Sequence, residues 1–333
     1  MKIRTGLAPL GAALLAACAS ASARAAESGD VTGTMKAGAV ERTYRLHVPP
    51  SPAGRAPLPL VLALHGRLGT GAGQARLSHL DAVSDRHGFL VVYPDGLERS
   101  WADGRGVTPA DQRGVDDVRF LAALVDEVDR RHPVDRARVY STGMSNGGFM
   151  SARLACELAD RVSAVAIVAA SISEATARAC RPSGPVSVAV LEGTEDPLVP
   201  YRGGAMGRSG DRGTVLSLEA TARFFRDRAR CTATVQREHM PDRAGDGTTV
   251  DVEIYPECDG GAEVRSYTIR GGGHTWPGGE AYLPAMMVGK TSGNLDASEA
   301  IWAFFSRHRT DSSSPPASAG GEAGGGGHRP ADE

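Results

Sequence analysis

Lysine is almost missing from this chain of 333 residues. Lys2, Lys36 and Lys290 are the only three among 37 basic side chains, and the rest are scattered arginines. With 39 acidic residues the formal net charge is −2. That leaves no basic excess of the kind nucleic-acid binders carry, so no nucleic-acid partner is expected. It also gives no field that would steer a highly charged ligand. Aromatic residues are sparse, at 5%. No apolar run reaches the roughly 20 residues needed to span a bilayer. C-x-x-C and H-E-x-x-H are both absent, so the commonest zinc signatures are missing. No metal is expected.

What is present suits a globular, exported protein. Hydrophobic residues make up 41% and charged residues 23%, ordinary values for a folded domain. Residues 1–26 have the form of an export signal, with Lys2 and Arg4 ahead of an apolar stretch from Leu7 to Ala17. Ala23-Arg24-Ala25 is a cleavage site that would release a secreted or periplasmic protein. Leu15-Ala16-Ala17-Cys18 resembles a bacterial lipobox, which would instead leave a lipid anchor at Cys18. Past the signal stand Cys156, Cys180, Cys231 and Cys258, and an even number in an exported chain favours two disulfides. Local pairing, Cys156 with Cys180 and Cys231 with Cys258, is expected, because cross-pairing would have to span the loop between residues 191 and 201. Residues 310–333 are rich in Ser, Pro and Gly and read as a disordered tail. The folded domain is expected at residues 30–309.

Within that span short apolar runs alternate with helical patterns. Residues 58–64 are nearly all apolar, as in a strand buried on both faces. Residues 89–93, 138–141, 162–168 and 186–191 behave alike, and 264–269 alternates. Helical periodicity covers 116–131, 147–158, 216–228 and 297–307. Such alternation predicts a single α/β domain with a mostly parallel central sheet flanked by helices.

The sharpest chemical signal is Gly143-Met144-Ser145-Asn146-Gly147, a G-x-S-x-G set between a strand and a helix. The serine occupies a tight turn, and the glycines spare the neighbouring chain a collision with a β-carbon. Ser145 is then exposed over the positive end of a helix. A serine hydroxyl needs a base. Gly271-Gly272-Gly273-His274 follows the candidate strand 264–269, and three glycines let that loop bring an imidazole over the sheet edge. His47, His79, His87, His132, His239, His308 and His328 lack such a setting. The imidazole in turn needs an acid. Asp196, in Gly193-Thr194-Glu195-Asp196-Pro197 after strand 186–191, is the candidate, with Glu192 and Glu195 as rivals. An oxyanion hole requires backbone N–H donors. Asn146 supplies one, and the loop His65-Gly66-Arg67-Leu68 supplies the other, from Arg67 or, next in order, Leu68.

These motifs together resemble the exported polyhydroxybutyrate depolymerase and feruloyl esterase group of α/β-hydrolases. The resemblance spans about residues 40–308. It rests on Leu64-His65-Gly66, residues 114–118, Val139 to Gly148, Arg153 to Glu157, Gly193 to Asp196 with Val199-Pro200-Tyr201, Gly271 to Gly278, and Asp296 to Glu299 with Phe304-Phe305. It implies a Ser145–Asp196–His274 triad, hydrolysis of carboxylic esters, export and no cofactor. Three departures stand out. Glu192 takes the place where relatives often have histidine. Arg67 replaces a small residue or cysteine. Nothing after residue 309 resembles a polymer-binding domain, which favours soluble esters or oligomers as substrate. A peptidase on the same fold and a non-catalytic surface lipoprotein are the competing expectations.

Overall fold

The computed structural model describes residues 28–50, 56–207 and 210–310. The expected export signal with Cys18, and the tail beyond Thr310, lie outside the described residues. The strands are β1 (Gly29–Ala37), β2 (Val40–Val48), β3 (Leu58–Leu64), β4 (Leu90–Pro94), β5 (Val134–Met144), β6 (Ala164–Val168), β7 (Ser187–Gly193), β8 (Gly204–Ala205), β9 (Thr214–Val215), β10 (Gln236–His239), β11 (Thr249–Tyr255) and β12 (Val264–Arg270). The helices are α1 (Gly71–Ser78), α2 (Leu80–His87), α3 (Pro109–Gln112), α4 (Asp117–Arg131), α5 (Asn146–Glu157), α6 (Glu174–Ala179), α7 (Leu218–Arg228), α8 (Ala285–Val288) and α9 (Ala297–Phe305).

Ten strands form one sheet in the order β1-β2-β4-β3-β5-β6-β7-β12-β11-β10. Its centre, from β4 to β12, is parallel, and antiparallel pairs finish both edges. The central strands are buried on both faces, which is why they read as continuous apolar runs. Leu60, Leu62 and Leu64 of β3 point to one core with Phe120, Leu124 and Val128 of α4, Phe149 of α5 and Phe225 of α7. Val61 and Ala63 point to the other, with Val83 of α2 and Ile301, Trp302 and Phe305 of α9. There Trp302 stacks on Phe89 at 3.9 Å and Phe305 on Tyr140 at 4.7 Å.

The outer strands carry no apolar run to read. β1 alternates half-buried and exposed residues, and β10 is exposed throughout. His239 ends β10, and its Nδ1 lies 2.7 Å from Asp251 Oδ1. Thr310 is still tied to the domain, its N–H donating to Ala137 O at 2.9 Å. The disulfides Cys156–Cys180 and Cys231–Cys258 are both formed. The first ties the end of α5 to the end of α6. No helix among the described residues is long and apolar enough to cross a membrane.

Candidate active site

β5 delivers Ser145 to the carboxyl edge of the sheet. The residue sits at φ 57°, ψ −119°, a strained conformation that costs on the order of 1–3 kcal/mol and persists only where its surroundings impose it. They do so here: Ser145 N–H donates to Val168 O at 2.9 Å, and Ser145 O accepts from Phe149 N–H at 2.9 Å. A Cβ on Gly147 would lie 2.2 Å from Leu64 O. Helix α5 therefore closes against β3 only with glycine at that position. Ser145 is half-buried, and its Oγ has no hydrogen-bond partner among the described residues.

The loops after β7 and β12 meet beside it. A Cβ on Gly193 would lie 2.2 Å from Gly272 O, and Glu195 N–H donates to that same oxygen at 2.9 Å. This backbone contact brings residues 78 apart in the chain together: His274 Nδ1 lies 2.7 Å from Asp196 Oδ2. Asp196 Oδ1 accepts from the N–H groups of Leu198 and Val199 at 2.7 and 2.9 Å. That turn aims its second oxygen at the imidazole. Both side chains are nearly closed to solvent, at 1% and 3%. His274 N–H is held by Val288 O at 2.6 Å, and Tyr282 Oη donates to His274 O at 3.0 Å. With Nδ1 on the acid, Nε2 is the nitrogen left for a proton from serine. The serine–histidine hydrogen bond is not made here, and in resting enzymes such contacts often tighten only with substrate.

The rival acids take other positions. Glu195 is exposed. Glu192 stands against Thr268 of β12, 2% exposed, with no partner for either carboxyl oxygen among the described residues. Burial pushes its carboxyl well above the ordinary range, and the charge of Asp196 adds to the effect.

Of the two donors weighed for the oxyanion loop, Leu68 is already engaged, its N–H donating to Arg99 O at 2.8 Å. The N–H groups of Arg67 and Asn146 have no partner among the described residues. His65 is buried, which keeps it below the ordinary histidine value. Its Nε2 accepts from Gly96 N–H at 2.9 Å, fixing the neutral ring.

The segment 96–105 supplies residues that the sequence did not single out. Trp101 is fully buried and donates from Nε1 to His65 O at 2.8 Å. Asp103 is fully buried beside Arg105 and the Asn146 carboxamide. Burial raises its carboxyl above the usual value against the pull of Arg105. Nothing in the local pattern of a Gly-rich loop marks these side chains.

One group elsewhere has metal-ligand chemistry. Ligand atoms of Asp30, His47 and Asp81 lie within 4.8 Å of one another. Arg45, however, is 2.6 Å from both Asp30 and Asp81. Burial opposes charge on His47, but its hydrogen bonds to Asp30 and Asp85 lift it above the ordinary histidine value. The Arg45 guanidinium already pairs with both carboxylates, which makes this an ion-pair cluster rather than a cation site.

Comparisons with known proteins point the same way. The sequence profile of the family described as Esterase PHB depolymerase matches residues 42–182. The putative esterase NocK of Nocardia uniformis subsp. tsuyamanensis is 36% identical over 275 residues, covering 78% of this chain and 77% of that protein. Feruloyl esterase B of Piromyces equi is 28% identical over 225 residues, 65% of this chain but 39% of that protein. Among solved structures, an acetyl xylan esterase from Aspergillus awamori superposes with a TM-score of 0.56 at 15% identity, covering 83% of this chain and 99% of that one. The last likeness speaks for the fold alone.

Proposed function

We propose, since this chain belongs to the PHB depolymerase family of esterases, that it is an exported serine esterase working through an acyl-enzyme. Ser145 Oγ attacks the ester carbonyl carbon while His274 Nε2 takes its proton. Asp196 holds the imidazole in the required tautomer and stabilises its charged form. The tetrahedral oxyanion is received by the N–H groups of Asn146 and Arg67. The intermediate collapses, the C–O bond breaks, and the alcohol leaves with the proton from His274. Water then attacks the acyl-serine by the same route and the acid departs. The observation that carries this proposal is the 2.7 Å contact of Asp196 with His274 on loops locked beside a strained, half-buried serine.

The substrates we propose are feruloyl-type aromatic esters, short acyl esters or hydroxyalkanoate oligomers. Two disulfides and the signal-like start support a secreted or periplasmic site of action. Lipidation of Cys18 is the variant that would hold the protein at a membrane.

A fluorophosphonate probe with a hydrolysis panel tests the proposal. Wild type should gain one adduct, on Ser145, and should cleave nitrophenyl esters, methyl ferulate or hydroxybutyrate oligomers. Ser145→Ala should lose about 10⁴–10⁶ in kcat while remaining folded. A folded wild type that neither reacts nor hydrolyses would make this a binding protein. A Ser145→Ala enzyme with more than about a hundredth of wild-type activity would remove the serine from its role.

A further inference from the structure

Asn146 carries more hydrogen bonds than a residue opening a helix needs. It is 1% exposed. Its Oδ1 accepts from Trp101 N–H at 2.8 Å, and its Nδ2 donates to Trp101 O at 3.1 Å and to Asp103 Oδ2 at 2.6 Å. Exchanging the amide nitrogen and oxygen would set a donor against Trp101 N–H and an acceptor against two oxygens, so the network fixes the orientation. Trp101 passes the connection on through Nε1 to His65 O, two residues before Arg67. The two oxyanion donors sit on different loops, and no covalent geometry fixes their separation. The chain Asn146–Trp101–His65 spans that gap.

Asp103 locks the far side of the carboxamide. Arg105 Nε lies 3.0 Å from each of its oxygens. The guanidinium rests 4.1 Å from the centre of the Phe149 ring, in the first turn of α5, and bonds Arg212 O at 3.1 Å. Asp103 O accepts from Thr176 Oγ1 at 3.2 Å. Arg105 thus holds the carboxylate, Thr176 holds the main chain of Asp103, and the carboxylate presents Oδ2 to Asn146.

We propose that Asp103 and the Asn146 carboxamide form a clamp that sets the spacing of the Asn146 and Arg67 N–H groups, making Asp103 a positioning residue for ester hydrolysis. This rests on the serine-esterase reading above. The carboxamide is needed chemically. An aspartate at 146 would lose both donor contacts and set two carboxylates against each other. Loosening the clamp leaves both donors in place but lets their spacing drift. The effect falls on the transition state, whose oxyanion must touch both, and spares the bound ester.

The test compares Asn146→Ala, Asp103→Ala, Asp103→Asn and the double alanine variant. The readouts are kcat per fluorophosphonate-titrated site, KM, and the affinity of an alkylboronic acid as tetrahedral mimic. Each alanine variant should lose about ten- to a hundredfold in kcat. KM should stay near wild type, and boronate affinity should fall in step with kcat. The double variant should fall no further than the worse single one, since both remove one unit. Asp103→Asn, which keeps an acceptor for Nδ2, should recover most of kcat even where the lost charge beside Arg105 lowers its melting temperature. A purely structural role would lower stability and the titrated fraction and leave kcat per site alone, which would overturn the proposal. So would losses that multiply in the double variant. Should Asp103→Ala fail to fold, Asp103→Asn against Asn146→Ala decides. Near-wild-type kcat in the first with a reduced, boronate-weakened second supports the clamp, and wild-type kcat in both refutes it. Ser145→Ala in the same series separates the two ideas, because its retained activity would sink the serine reading whatever the clamp variants do.

Discussion

The orphaned carboxyl of Glu192 makes a stability prediction of unusual sign. The residue is 2% exposed, both oxygens lack partners among the described residues, and burial pushes its carboxyl well above the ordinary range. In the unfolded chain the same group titrates near 4.3. Above that pH the folded state therefore binds one proton more than the unfolded state, and folding stability falls as pH rises. The slope for one such group is about 1.4 kcal/mol per pH unit, and it continues up to the folded-state value. Glu192→Met keeps the length of the side chain and removes the proton site. At pH 5.5 it should already be the more stable protein by about 1–3 kcal/mol, the cost of an unsatisfied buried polar group. Between pH 5.5 and 7.5 its advantage should grow by up to about 2.7 kcal/mol. Urea unfolding of both proteins at the two pH values, with disulfides intact and equal m-values, measures the difference. A gap that does not change with pH would refute the claim that Glu192 is protonated in the fold. A wild type more stable than the variant at pH 7.5 would mean that the carboxyl has a partner after all.

Two further outcomes follow from the packing. Replacing Cys156 and Cys180 together by serine opens a loop of 24 residues, worth about 3.5 kcal/mol in the chain-entropy account. The melting temperature should drop by roughly 7–14 °C with kcat per titrated site unchanged at 25 °C, and a calorimetric shift under about 2 °C would contradict the account. Gly147→Ala puts a methyl group 2.2 Å from Leu64 O, so α5 must move off β3 and carry the Asn146 N–H with it. Its kcat should fall about a hundredfold or more, and a wild-type rate would show that the elbow tolerates that shift.

The approach of the acid and base loops illustrates how little covalent structure defines this site. Gly193 lacks a β-carbon where its backbone meets Gly272 O, 2.2 Å from where that carbon would lie. Everything beyond the crossing then follows from hydrogen bonds to main-chain groups: Glu195 to Gly272, His274 to Val288, Gly273 to Lys290. Main-chain contacts of this kind are insensitive to most side-chain changes. The pocket loops can therefore vary while the acid and the imidazole keep their separation.

The amino-acid sequence by itself determined the elements whose signals are local. Buried strands such as Leu58–Leu64 read as apolar runs because both faces are covered, and α4 reads as a helix because one stripe of it is apolar. G-x-S-x-G placed a strand-to-helix turn at Ser145 because only glycine fits where β3 and α5 close. The tertiary structure alone decided which distant residues meet. Asp196 and His274 lie 78 residues apart, and Asn146 and Asp103 lie 43 apart. Their contacts depend on strand order and on the crossing of loops, which no window of sequence contains. Glu192, Glu195 and Asp196 are near neighbours of the same chemical type. What separated them was the pleat and the turn: β7 carries Glu192 into the interior, the loop leaves Glu195 in solvent, and the turn held by Leu198 and Val199 aims Asp196 at the imidazole. The strand β10 escaped the sequence for the opposite reason: solvent covers all of it, so no apolar side chain is required there and no period remains to be read, whereas β1 alternates Val31, Met35 and Ala37 against polar neighbours but has no continuous apolar run.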